Sequence, residues 1–442
     1  MSDSRSFGVT LLGCGIVGGG VTSILLNQHD LLQKRTGIDF RLQHVVVKDR
    51  EAYPPDHEKL PMSTDAMAAI DDPKTNVVIE LIGGTGVAYE FVKRALSAGK
   101  PVITANKALL ATKGPELFAI ARANNTCIAF EASAGGGIPI IDALQRGLVA
   151  NRVDALLGIV NGTCNFILSQ MTQKGWSYDQ ALKEAQAQGF AEANPHMDVS
   201  GKDTMQKLAI LAGLAFNVRI EEADIHLEGI DTLNAADIKY ADELGYTIKL
   251  LAIAERQKGD AISLRVHPTL VHKADQLAQV SGSFNAISFY GHALGHAVFY
   301  GRGAGRMPTA SAVVADLIGV ALGTTPAMFK SLNIFPDQCP KAVVLPFDQL
   351  QSRYYLRLTA KDQPGVLAQV TKVLGDQKIS IASFVQHETP ATDGSVPLVL
   401  TTHRAQEGAM QTAIKQINAL APITAPAISL RIVDQPKEFA AA

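Results

Sequence analysis

Two residues that could carry out acid–base chemistry lie four positions apart near the middle of the sequence. Asp203 and Lys207 fall in a segment that we predict to be a helix over 201–216, where residues at this spacing share one face. A lysine beside a carboxylate can exchange a proton with a substrate oxygen. The same spacing is typical of an exposed ion pair, which is the commoner arrangement on helices. The pair alone therefore leaves both interpretations open.

Two more charged residues stand close to predicted structural elements. Lys107 comes shortly after the predicted strand at 100–105, and Glu192 lies in a polar segment, 189–203, that leads into the predicted helix. In open α/β sheets, ligands bind at the carboxyl ends of the strands, which would place Lys107 at a ligand site. Taken alone, the two residues would be a surface lysine and a loop carboxylate.

Histidine and cysteine spacings do not define a metal or thiol site. His292 and His296 are four residues apart, but no third ligand follows at a sensible spacing. His196 and Asp198 have the same shortcoming, so we expect packing or solvation for these side chains. The four cysteines are scattered without a CxxC motif, which suits buried thiols in a reducing compartment.

A glycine motif marks the first turn of the chain. Gly13, Gly15 and Gly18 stand between a predicted strand, 9–13, and a predicted helix, 17–28. Glycines at these positions permit a tight turn and let the backbone approach a pyrophosphate at the helix N-terminus. The motif alone is weak because glycine-rich turns are common. The strands and helices that follow it agree with dinucleotide binding.

The residues after the second predicted strand bear on the choice of dinucleotide. Enzymes that use NAD place an acidic residue there to bind the ribose hydroxyls. This chain has Lys48, Asp49 and Arg50 after the strand at 40–47, and two cations around one acid suit a 2′-phosphate. The segment favours NADP, with NAD as the second choice and a solvated turn as the alternative interpretation.

The elements that must position these residues alternate in the first third of the chain. Strands alternating with helices predict parallel βαβ units and an α/β, Rossmann-type doubly wound sheet. Strands are predicted at 9–13, 40–47, 76–84, 100–105 and 126–133, and helices at 17–28, 88–98 and 115–123.

The middle of the chain has a mixed pattern, which predicts an α+β domain. Helices are predicted at 138–149, 165–174, 178–188, 201–216, 235–254 and 309–323, and strands at 263–271 and 297–301. The stretch 330–352 is rich in Pro, Asp and Gln and has no periodicity, so we predict a linker.

The C-terminal segment has the pattern of a small separate domain. Its predicted elements are a strand (353–360), a helix (364–377), two strands (379–388 and 395–402), a helix (405–419) and a strand (427–433). This βαββαβ order is that of a ferredoxin-like unit, which we expect to be an independent module.

Together these patterns predict the domain organisation. The dinucleotide-binding domain is expected at 1–137 and the α+β domain at 138–302. The linker is expected at 331–352 and the ferredoxin-like domain at 353–435.

Composition excludes several classes of function. The 442 residues include 47% hydrophobic and 19% charged residues, which is ordinary for a globular protein with a core. The formal net charge of −2 and the lack of basic clusters argue against nucleic-acid binding. No secretion signal precedes the first strand, and no apolar run reaches the roughly 20 residues that cross a bilayer. We therefore expect a cytoplasmic protein without a membrane partner.

Several separated blocks resemble the homoserine dehydrogenase family, in the family's order and over most of the chain. These blocks are GCGIVG (13–18), ELIGG (80–84), TANKALLA (104–111), FEASAGGGIPII (130–141), GIVNGTCNFILSQM (158–171), GFAEANPHMDVSGKD (189–203), LGYTIKLLA (244–252) and YGRGAGRMPTASAVVADL (300–317). The whole chain resembles the bacterial form with an added ACT domain. The resemblance implies reversible, NAD(P)H-dependent reduction of aspartate 4-semialdehyde to homoserine, in threonine and methionine biosynthesis.

The resemblance also implies roles for individual residues. Lys207 matches the acid/base lysine, and Lys107 the second lysine, which contacts cofactor and substrate. Glu192 and Asp203 match the carboxylates that hold the polar end of the substrate. The positions that match the cofactor-binding set are Gly13, Gly15, Ile16, Val17, Gly18, Thr104, Lys107, Gly189 and Gly303, to which the residues after the second strand add Lys48 and Arg50.

A glycine-rich loop resembles the family's site for a monovalent cation such as Na⁺. The implied ligands are Glu131, through its side chain or backbone, and the carbonyls of Ala134, Gly136 and Ile138. Carbonyl oxygens suit a hard cation, which would stabilise the loop rather than take part in the chemistry. A purely structural turn is the alternative.

The chain departs from the family pattern near this loop and near the substrate segment. Asn194 and Ser200 stand where acidic residues are common in the family, and Ala134 where Val is common. Losing two carboxylates could loosen substrate binding or shift the local charge. The implied chemical residues are intact, so we expect activity.

The C-terminal unit carries the motif DQPGVL, in which Pro364 and Gly365 open a helix. Its free N–H groups could bind an amino-acid carboxylate, and the resemblance to an ACT domain implies an end-product effector, for which threonine is the expected compound. A dimerisation module without a ligand is the alternative. Either interpretation implies an oligomer, a homodimer or a homotetramer.

Two other functions compete with this interpretation. A non-catalytic, amino-acid-responsive regulatory protein could keep a dinucleotide pocket, but the intact set of Lys107, Glu192, Asp203 and Lys207 argues against it. A related semialdehyde or dihydrodipicolinate-type reductase is the second rival. An acylating enzyme would need a thiol nucleophile, for which Cys164 is the only cysteine in a suggestive motif.

Overall fold

The computed structural model describes residues 5–49, 60–387 and 394–434, so Arg50 lies outside the described residues. The chain divides into two compact units, each built from three segments. The first unit comprises residues 1–153, 205–223 and 284–342, and the second comprises 154–204, 224–283 and 343–442.

Strands and helices alternate in the N-terminal part of the first unit. These elements are β1 (Arg5–Leu12), α1 (Ile16–Asn27), α2 (His29–Thr36), β2 (Ile38–Val46), β3 (Met62–Ser63), α3 (Ala66–Asp71), β4 (Val77–Glu80), α4 (Val87–Ser97), β5 (Val102–Thr104), α5 (Lys107–Ala123) and β6 (Ile128–Ala129).

The middle of the chain supplies elements to both units. They are α6 (Ile140–Asp142), which continues as a π-helical turn (Ala143–Gly147), β7 (Val153–Ile159), α7 (Gly162–Lys174), α8 (Tyr178–Ala187), α9 (His196–Val199), α10 (Lys202–Phe216), β8 (His226–Leu227), α11 (Ala235–Glu243), β9 (Tyr246–Arg256), β10 (Ile262–His272), β11 (Phe284–Gly291), β12 (Gly295–Arg302), α12 (Arg306–Ala321) and α13 (Thr324–Ser331).

The C-terminal part of the second unit has the predicted order of strands and helices. Its elements are β13 (Gln351–Lys361), α14 (Val366–Asp376), β14 (Ile381–Val385), β15 (Ser395–Thr402), β16 (Ala405–Gln406), α15 (Glu407–Asn418) and β17 (Ile423–Ile432).

The first unit contains the predicted doubly wound sheet. Its strands run in the order β3-β2-β1-β4-β5-β6, and every pairing between neighbours is parallel. The last six residues of β1 and all four of β4 are buried, because helices cover both faces of such a sheet. The neighbours of β1 are β2 on one side and β4 on the other, so the direction of winding reverses at β1 and opens a crevice at the carboxyl ends of β1 and β4.

The second unit is built on a sheet that includes the C-terminal strands. Its order is β7-β9-β10-β17-β13-β15-β14. The strands β17, β13, β15 and β14 are mutually antiparallel and, with α14 and α15, form the predicted ferredoxin-like βαββαβ unit. Its core is formed by residues such as Leu356, Val370, Leu400 and Met410.

The last strand of this βαββαβ unit also pairs with a strand outside the unit. Thr269 and Leu270 of β10 pair in parallel with Arg431 and Ile432 of β17, and the amide of Val433 donates to the carbonyl of Leu270. An isolated β17 would leave its N–H and C=O groups unpaired at a sheet edge. Pairing with β10 satisfies them, so the two sheets are continuous.

The helix predicted over 235–254 is wrong in its second half. The pattern over 235–254 predicts a single helix, whereas α11 ends at Glu243 and β9 begins at Tyr246. Gly245 has a positive φ of 85° and ends the helix as a left-handed residue. The run that follows is apolar nearly throughout, and such a run fits a buried strand as well as a buried helix.

Candidate functional site

Two glycines let the first turn pack against the neighbouring strand and helix. Gly13, directly after β1, has a φ of +95°, and a Cβ there would lie 2.8 Å from the carbonyl oxygen of Leu81. A Cβ on Gly18 would lie 2.2 Å from the carbonyl oxygen of Gly13. Any larger residue at either position would push the turn away from the crevice.

The N-terminus of α1 faces this turn. Gly15 is its N-cap residue, and no side chain caps the helix. A Cβ on Gly15 would meet nothing within 4 Å, and Ile16 is 75% exposed, while Val17 is half-buried. Open N–H groups at the start of a 12-residue helix are suited to a phosphate group.

A buried carboxylate holds the loop after β4, on the other side of the crevice. Glu80 is fully buried and accepts hydrogen bonds from the amides of Ile82 and Gly83, at 2.8 and 2.9 Å. It also accepts one from the hydroxyl of Thr104, at 2.6 Å. Thr104 therefore contributes to the crevice by fixing the Glu80 loop, since its side chain is itself buried.

Lys107 begins α5 at the same edge of the sheet. The N-cap residue Asn106 accepts from the amide of Leu109 and donates to the carbonyl of Gly84, at 2.7 Å. It thus ties the start of α5 to the Glu80 loop and places the half-buried Lys107 at the carboxyl end of β5. Sequence reasoning missed Glu80 and Asn106. The available signals were a carboxylate that ends a buried strand and an asparagine that precedes a helix.

The predicted determinants of cofactor choice are only partly described. Lys48 is exposed shortly after the end of β2. Arg50 falls outside the described residues.

The predicted cation loop surrounds a buried carboxylate. Glu131 accepts hydrogen bonds from the amides of Ile141 and Asp142, at 2.9 and 2.7 Å, so its side chain caps α6. Burial raises the pKa of Glu131 to about 7, against the lowering effect of these hydrogen bonds. Its own amide donates to Asp316 at 2.9 Å, and burial together with Glu131 raises the pKa of Asp316 well above its ordinary value.

The rest of the cation loop is shaped by glycines in contact with the segment after β12. Gly135 and Gly136 have φ values of +82° and +58°, and a Cβ on Gly136 would lie 2.2 Å from the carbonyl oxygen of Gly303. Ala134 and Ile138 are buried on either side. The structure therefore brings the predicted cation loop against Gly303, a predicted cofactor residue. Within the described residues, no cluster of three or more His, Cys, Asp or Glu side chains could hold a metal.

Gly303 has no room for a side chain. A Cβ there would lie 1.8 Å from Nδ2 of Asn285, whose buried amide has no hydrogen-bond partner among the described residues. The following helix, α12, packs on α1, since a Cβ on Gly20 would lie 2.8 Å from the Cβ of Ala310. Arg306 donates to the carbonyl of Gly19 at 3.1 Å, so the start of α12 is held against α1.

In the second unit, the 189–203 loop carries the predicted substrate residues. Gly189 follows α8 with a φ of +74°, and the hydroxyl of Thr163 donates to the carbonyl of Phe190 at 2.6 Å. Gln186 donates to the backbone carbonyl of Glu192 at 3.2 Å, which leaves the Glu192 side chain exposed. The loop is thus fixed through its backbone while its carboxylate stays accessible.

One amide joins two carboxylates at the end of this loop. Nδ2 of Asn161 donates to Asp198 and to Asp203, at 2.8 Å each, and its Oδ1 caps α7 by accepting from Cys164. Asp203 is buried and Asp198 half-buried. Two carboxylates held together can bind an ammonium group. Sequence reasoning missed Asn161 and assigned no role to Asp198, although both lie in blocks that carry the family resemblance.

Asp203 and Lys207 share α10, as predicted. Lys207 is half-buried and Asp203 is buried, which is unlike the exposed ion pair that the spacing alone favours. Leu110 of α5 and Ala209 of α10 line one cavity of about 390 Å³ in the first unit. The helices that carry Lys107 and Lys207 therefore line the same cavity.

All four cysteines are buried, and none forms a disulfide among the described residues. The thiol of Cys164 is fully buried and donates to the carbonyl of Asp198 at 3.2 Å, which makes it a packing residue of the 189–203 loop. Burial raises the pKa of Cys127 to about 12 and of Cys339 to about 11. Thiols in such surroundings are poor nucleophiles.

The two departures in the loop have different surroundings. Asn194 accepts a hydrogen bond from the amide of His196 at 3.2 Å, a role that an aspartate could fill equally. The hydroxyl of Ser200 is buried and has no partner among the described residues.

The ACT-like helix and the histidines complete the predicted sites. Gly365 is the N-cap of α14 with a φ of +87°, and no side chain caps this helix. His296 lies within hydrogen-bond distance of Ser288, at 2.5 Å, and stacks on Tyr290, while His292 accepts from the amide of Arg152. No single helix of the described residues is long and apolar enough to cross a membrane, although the bent pair α12 and α13 passes that test of length and composition together.

Three family models match successive parts of the chain. They are the NAD-binding domain of homoserine dehydrogenase over residues 13–131, homoserine dehydrogenase over 139–318, and the ACT domain over 354–422.

Similar proteins cover nearly the whole chain. The homoserine dehydrogenase of Pseudomonas aeruginosa is 43% identical over 427 residues, which is 96% of this chain and 98% of that protein. The homoserine dehydrogenase of Bacillus subtilis is 39% identical, over 94% and 96% of the two chains. Among solved structures, the crystal structure of a homoserine dehydrogenase from Thiobacillus denitrificans has a TM-score of 0.91 at 42% identity, and covers 97% of this chain and 99% of that one.

Proposed function

The chain belongs to the homoserine dehydrogenase family, and from this premise we propose how its residues interconvert aspartate 4-semialdehyde and homoserine. It is an oxidoreductase with a nucleotide-binding domain, a catalytic domain and an ACT domain. A non-catalytic regulatory protein that keeps a dinucleotide pocket is not favoured.

The observation that carries the proposed site is the grouping of Asn161, Asp198 and Asp203 one helical turn from Lys207. The amide holds both carboxylates at 2.8 Å, so they present negative charge to the substrate's ammonium group. The accessible carboxylate of Glu192 adds a third acidic group from the same loop. The polar end of the amino acid is thereby bound at the start of α10.

Lys207 exchanges the proton of the reaction. A dinucleotide bound in the crevice would supply the hydride for the aldehyde carbon, or accept it in the reverse direction. The Lys207 ammonium donates a proton to the developing alkoxide oxygen and takes it back when homoserine is oxidised. Lys107, at the start of α5, contacts both ligands and orients the aldehyde.

The dinucleotide binds at the carboxyl ends of β1 and β4. Gly13, Gly15, Ile16, Val17 and Gly18 form the turn and helix start that receive the pyrophosphate. Thr104 fixes the opposite loop, and Gly189 and Gly303 approach the cofactor through their backbones. NADP is the preferred cofactor, because the exposed Lys48, with Arg50, suits a 2′-phosphate.

A monovalent cation such as Na⁺ stabilises the loop of Glu131, Ala134, Gly136 and Ile138. Two adjacent glycines with positive φ turn the backbone there, and the buried Glu131 adds carboxyl oxygens beside it. Both features suit a hard cation with oxygen ligands. The cation keeps the loop seated against Gly303 and has no part in proton or hydride transfer.

The domain boundaries and the regulation follow the same premise. Residues 1–137 with 303–330 form the nucleotide-binding domain, 138–302 the catalytic and dimerisation domain, 331–352 the linker and 353–435 the ACT domain. The packing of α12 on α1 supports the first assignment. Threonine acts as the effector at the open N-terminus of α14, and the enzyme is a cytoplasmic homodimer or homotetramer.

The role of Lys207 is tested by oxidation of homoserine with NADP and with NAD. We expect Lys207→Ala to lower kcat by about a hundredfold or more, since general acid–base groups contribute that much, while NADP affinity stays near that of the parent. Lys202→Ala, which removes an exposed lysine from the same helix, is the matched control and should retain turnover. Substantial turnover by Lys207→Ala would refute the role, and equal efficiency with both dinucleotides would refute the NADP preference.

A further inference from the structure

A buried arginine of the ACT domain lies at the junction of the two parts of the second-unit sheet. Arg431 of β17 is 7% exposed and sits where β17 pairs with β10. Its guanidinium donates to both carboxylate oxygens of Glu407, the first residue of α15, at 2.8 and 2.7 Å. Tyr354 donates to the same carboxylate at 2.8 Å. These contacts anchor Arg431 within the ACT domain.

The remaining donor of Arg431 reaches out of the ACT domain. Nη1 donates to the carboxylate of Glu228 at 2.9 Å, just after β8. His226 lies 2.7 Å from the other oxygen of that carboxylate and stacks on Phe347, which also lies against the Arg431 guanidinium. Burial would raise the pKa of Glu228, but the His226 hydrogen bond and the Arg431 charge outweigh it and hold the pKa well below its ordinary value. Glu228 is therefore ionised and oriented.

The backbone around Glu228 packs directly on the 189–203 loop. A Cβ on Gly229 would lie 2.5 Å from the carbonyl oxygen of Val199 and 2.9 Å from Cα of Ser200. The amide of Ile230 donates to that same carbonyl at 2.8 Å. A Cβ on Gly201 would lie 2.8 Å from the side chain of Leu227. The backbone around Glu228 and the 189–203 loop are close-packed, so a shift of one requires a shift of the other.

The segment in contact with Glu228 is the turn between the two bridged carboxylates. Val199, Ser200 and Gly201 connect Asp198 to α10, which carries Asp203. The amide of Gly201 donates to the carbonyl of Asp198 at 2.9 Å, and Asn161 holds both carboxylates. The turn thus fixes how far apart the two carboxylates stand.

We propose that Glu228, held by Arg431 of the ACT domain, is a positioning residue that sets the geometry of the Asp198–Asp203 carboxylates and so the affinity for the amino-acid substrate. The proposal rests on the substrate role proposed above for the 189–203 loop. It makes the Arg431–Glu228 ion pair the connection through which the ACT domain acts on substrate binding. Lys207 follows Asp203 by one turn of α10 and acts on the proton rather than on the ammonium group, so the effect falls on KM for homoserine and not on kcat.

The experiment measures kcat and both Michaelis constants for Glu228→Ala and Arg431→Lys in the full-length enzyme. Glu228→Ala leaves Arg431 paired with Glu407, and Arg431→Lys keeps the charge but loses the forked geometry that reaches two carboxylates. We expect each to raise KM for homoserine about tenfold, the size of effect that substitutions along such a connection produce. The value of kcat and KM for NADP should stay within about twofold of the parent enzyme.

Arg357→Lys is the matched control. Arg357 of β13 also belongs to the ACT domain and also makes a forked pair with a carboxylate outside it, Asp237 of α11, at 2.6 and 2.9 Å. Arg357→Lys should lower the free energy of unfolding as Arg431→Lys does, and it should leave KM for homoserine unchanged. A KM raised equally in the control, or unchanged in a folded Glu228→Ala enzyme, would overturn the proposal.

A further variant separates this proposal from the function on which it rests. Asp203→Asn should raise KM for homoserine if the loop binds substrate at all. If Asp203→Asn has no effect, the substrate assignment itself fails. If it has the expected effect while Glu228→Ala does not, only the positioning role of Glu228 is refuted.

Discussion

Single amide side chains organise the charged groups of this site. Asn161 places one NH₂ group between two carboxylates that would otherwise repel each other, and Asn106 links the start of α5 to the loop after β4. Each also caps a helix through its carbonyl oxygen. A single asparagine therefore both fixes where a helix begins and holds a functional group beside that helix.

The two functions of Asn161 can be separated by Asn161→Asp. The substitution keeps an oxygen to cap α7 but replaces the NH₂ donor by a third negative charge. We expect KM for homoserine to rise about tenfold or more, because losing a charge-assisted hydrogen bond costs roughly 1.5–3 kcal/mol. Steady-state kinetics would measure this. Asn234→Asp changes the N-cap of α11 in the same way and should leave KM unchanged; an equal effect of both would assign the loss to helix capping.

Residues within one motif could be predicted from sequence more readily than partners far apart. The spacing of Asp203 and Lys207 predicts that they share one helix face, whereas their chemical roles are implied by the family resemblance. The partners of Asn161 lie 37 and 42 residues further along the chain, and a hydrogen bond over that separation leaves no spacing signal. The sequence places Asp198 beside His196 as a candidate metal ligand, whereas in the structure it shares the Asn161 amide with Asp203.

At the scale of elements, periodicity identified the type of most strands and helices but not of every apolar run. The nucleotide sheet was predicted from alternating runs, because both faces of a parallel sheet are buried. The second half of the predicted 235–254 helix is instead β9, where Ile248, Leu250, Leu251 and Ala252 are all buried. A run that is buried on every side has no polar face. Without polar positions, the hydrophobic period of a helix cannot be distinguished from that of a strand.

The lysine within β9 makes stability depend on pH. Lys249 is 2% exposed and its ammonium donates to the carbonyl of Val280 at 2.5 Å and to Asn165 at 3.2 Å. Burial lowers its pKa to about 8. A lysine whose pKa is lowered in the folded state carries a penalty below that pKa. The penalty is relieved as pH rises from about 8 toward the unfolded value of 10.5.

Lys249→Met removes this titration. Between pH 7 and pH 10, the free energy of unfolding of the parent should rise relative to Lys249→Met by about 2–3 kcal/mol, since each unit of pKa is worth about 1.4 kcal/mol. Urea unfolding at several pH values measures the difference. Lys239→Met removes an exposed lysine from α11, and its free energy of unfolding should vary with pH as that of the parent does. If the free energy of unfolding of Lys249→Met also varied with pH as the parent's does, Lys249 would not be the source of the pH dependence.

At the scale of the whole chain, the order of domains could be predicted from sequence but their degree of independence could not. The βαββαβ pattern defines a unit with its own core, and nothing in a pattern of elements shows which edge strand continues into another sheet. The β10–β17 pairing and the Arg431–Glu228 and Arg357–Asp237 pairs join the ACT strands to catalytic elements of the second unit. Regulation through this domain therefore acts within one folded unit.

Because the ACT strands are joined to catalytic elements of the second unit, we predict that a destabilising substitution in the ACT domain also destabilises those catalytic elements. Arg357→Met leaves the buried Asp237 without its cation, and breaking a buried pair costs about 3 kcal/mol or more. The only tryptophan, Trp176, lies between α7 and α8 and reports unfolding of the catalytic elements. We expect its urea transition to shift together with hydrogen exchange of the β13 and β15 amides. Lys372→Met, which breaks an exposed ion pair on α14, should change neither the urea transition nor the hydrogen exchange. If Arg357→Met changed only the exchange of the β13 and β15 amides, the ACT domain would unfold on its own.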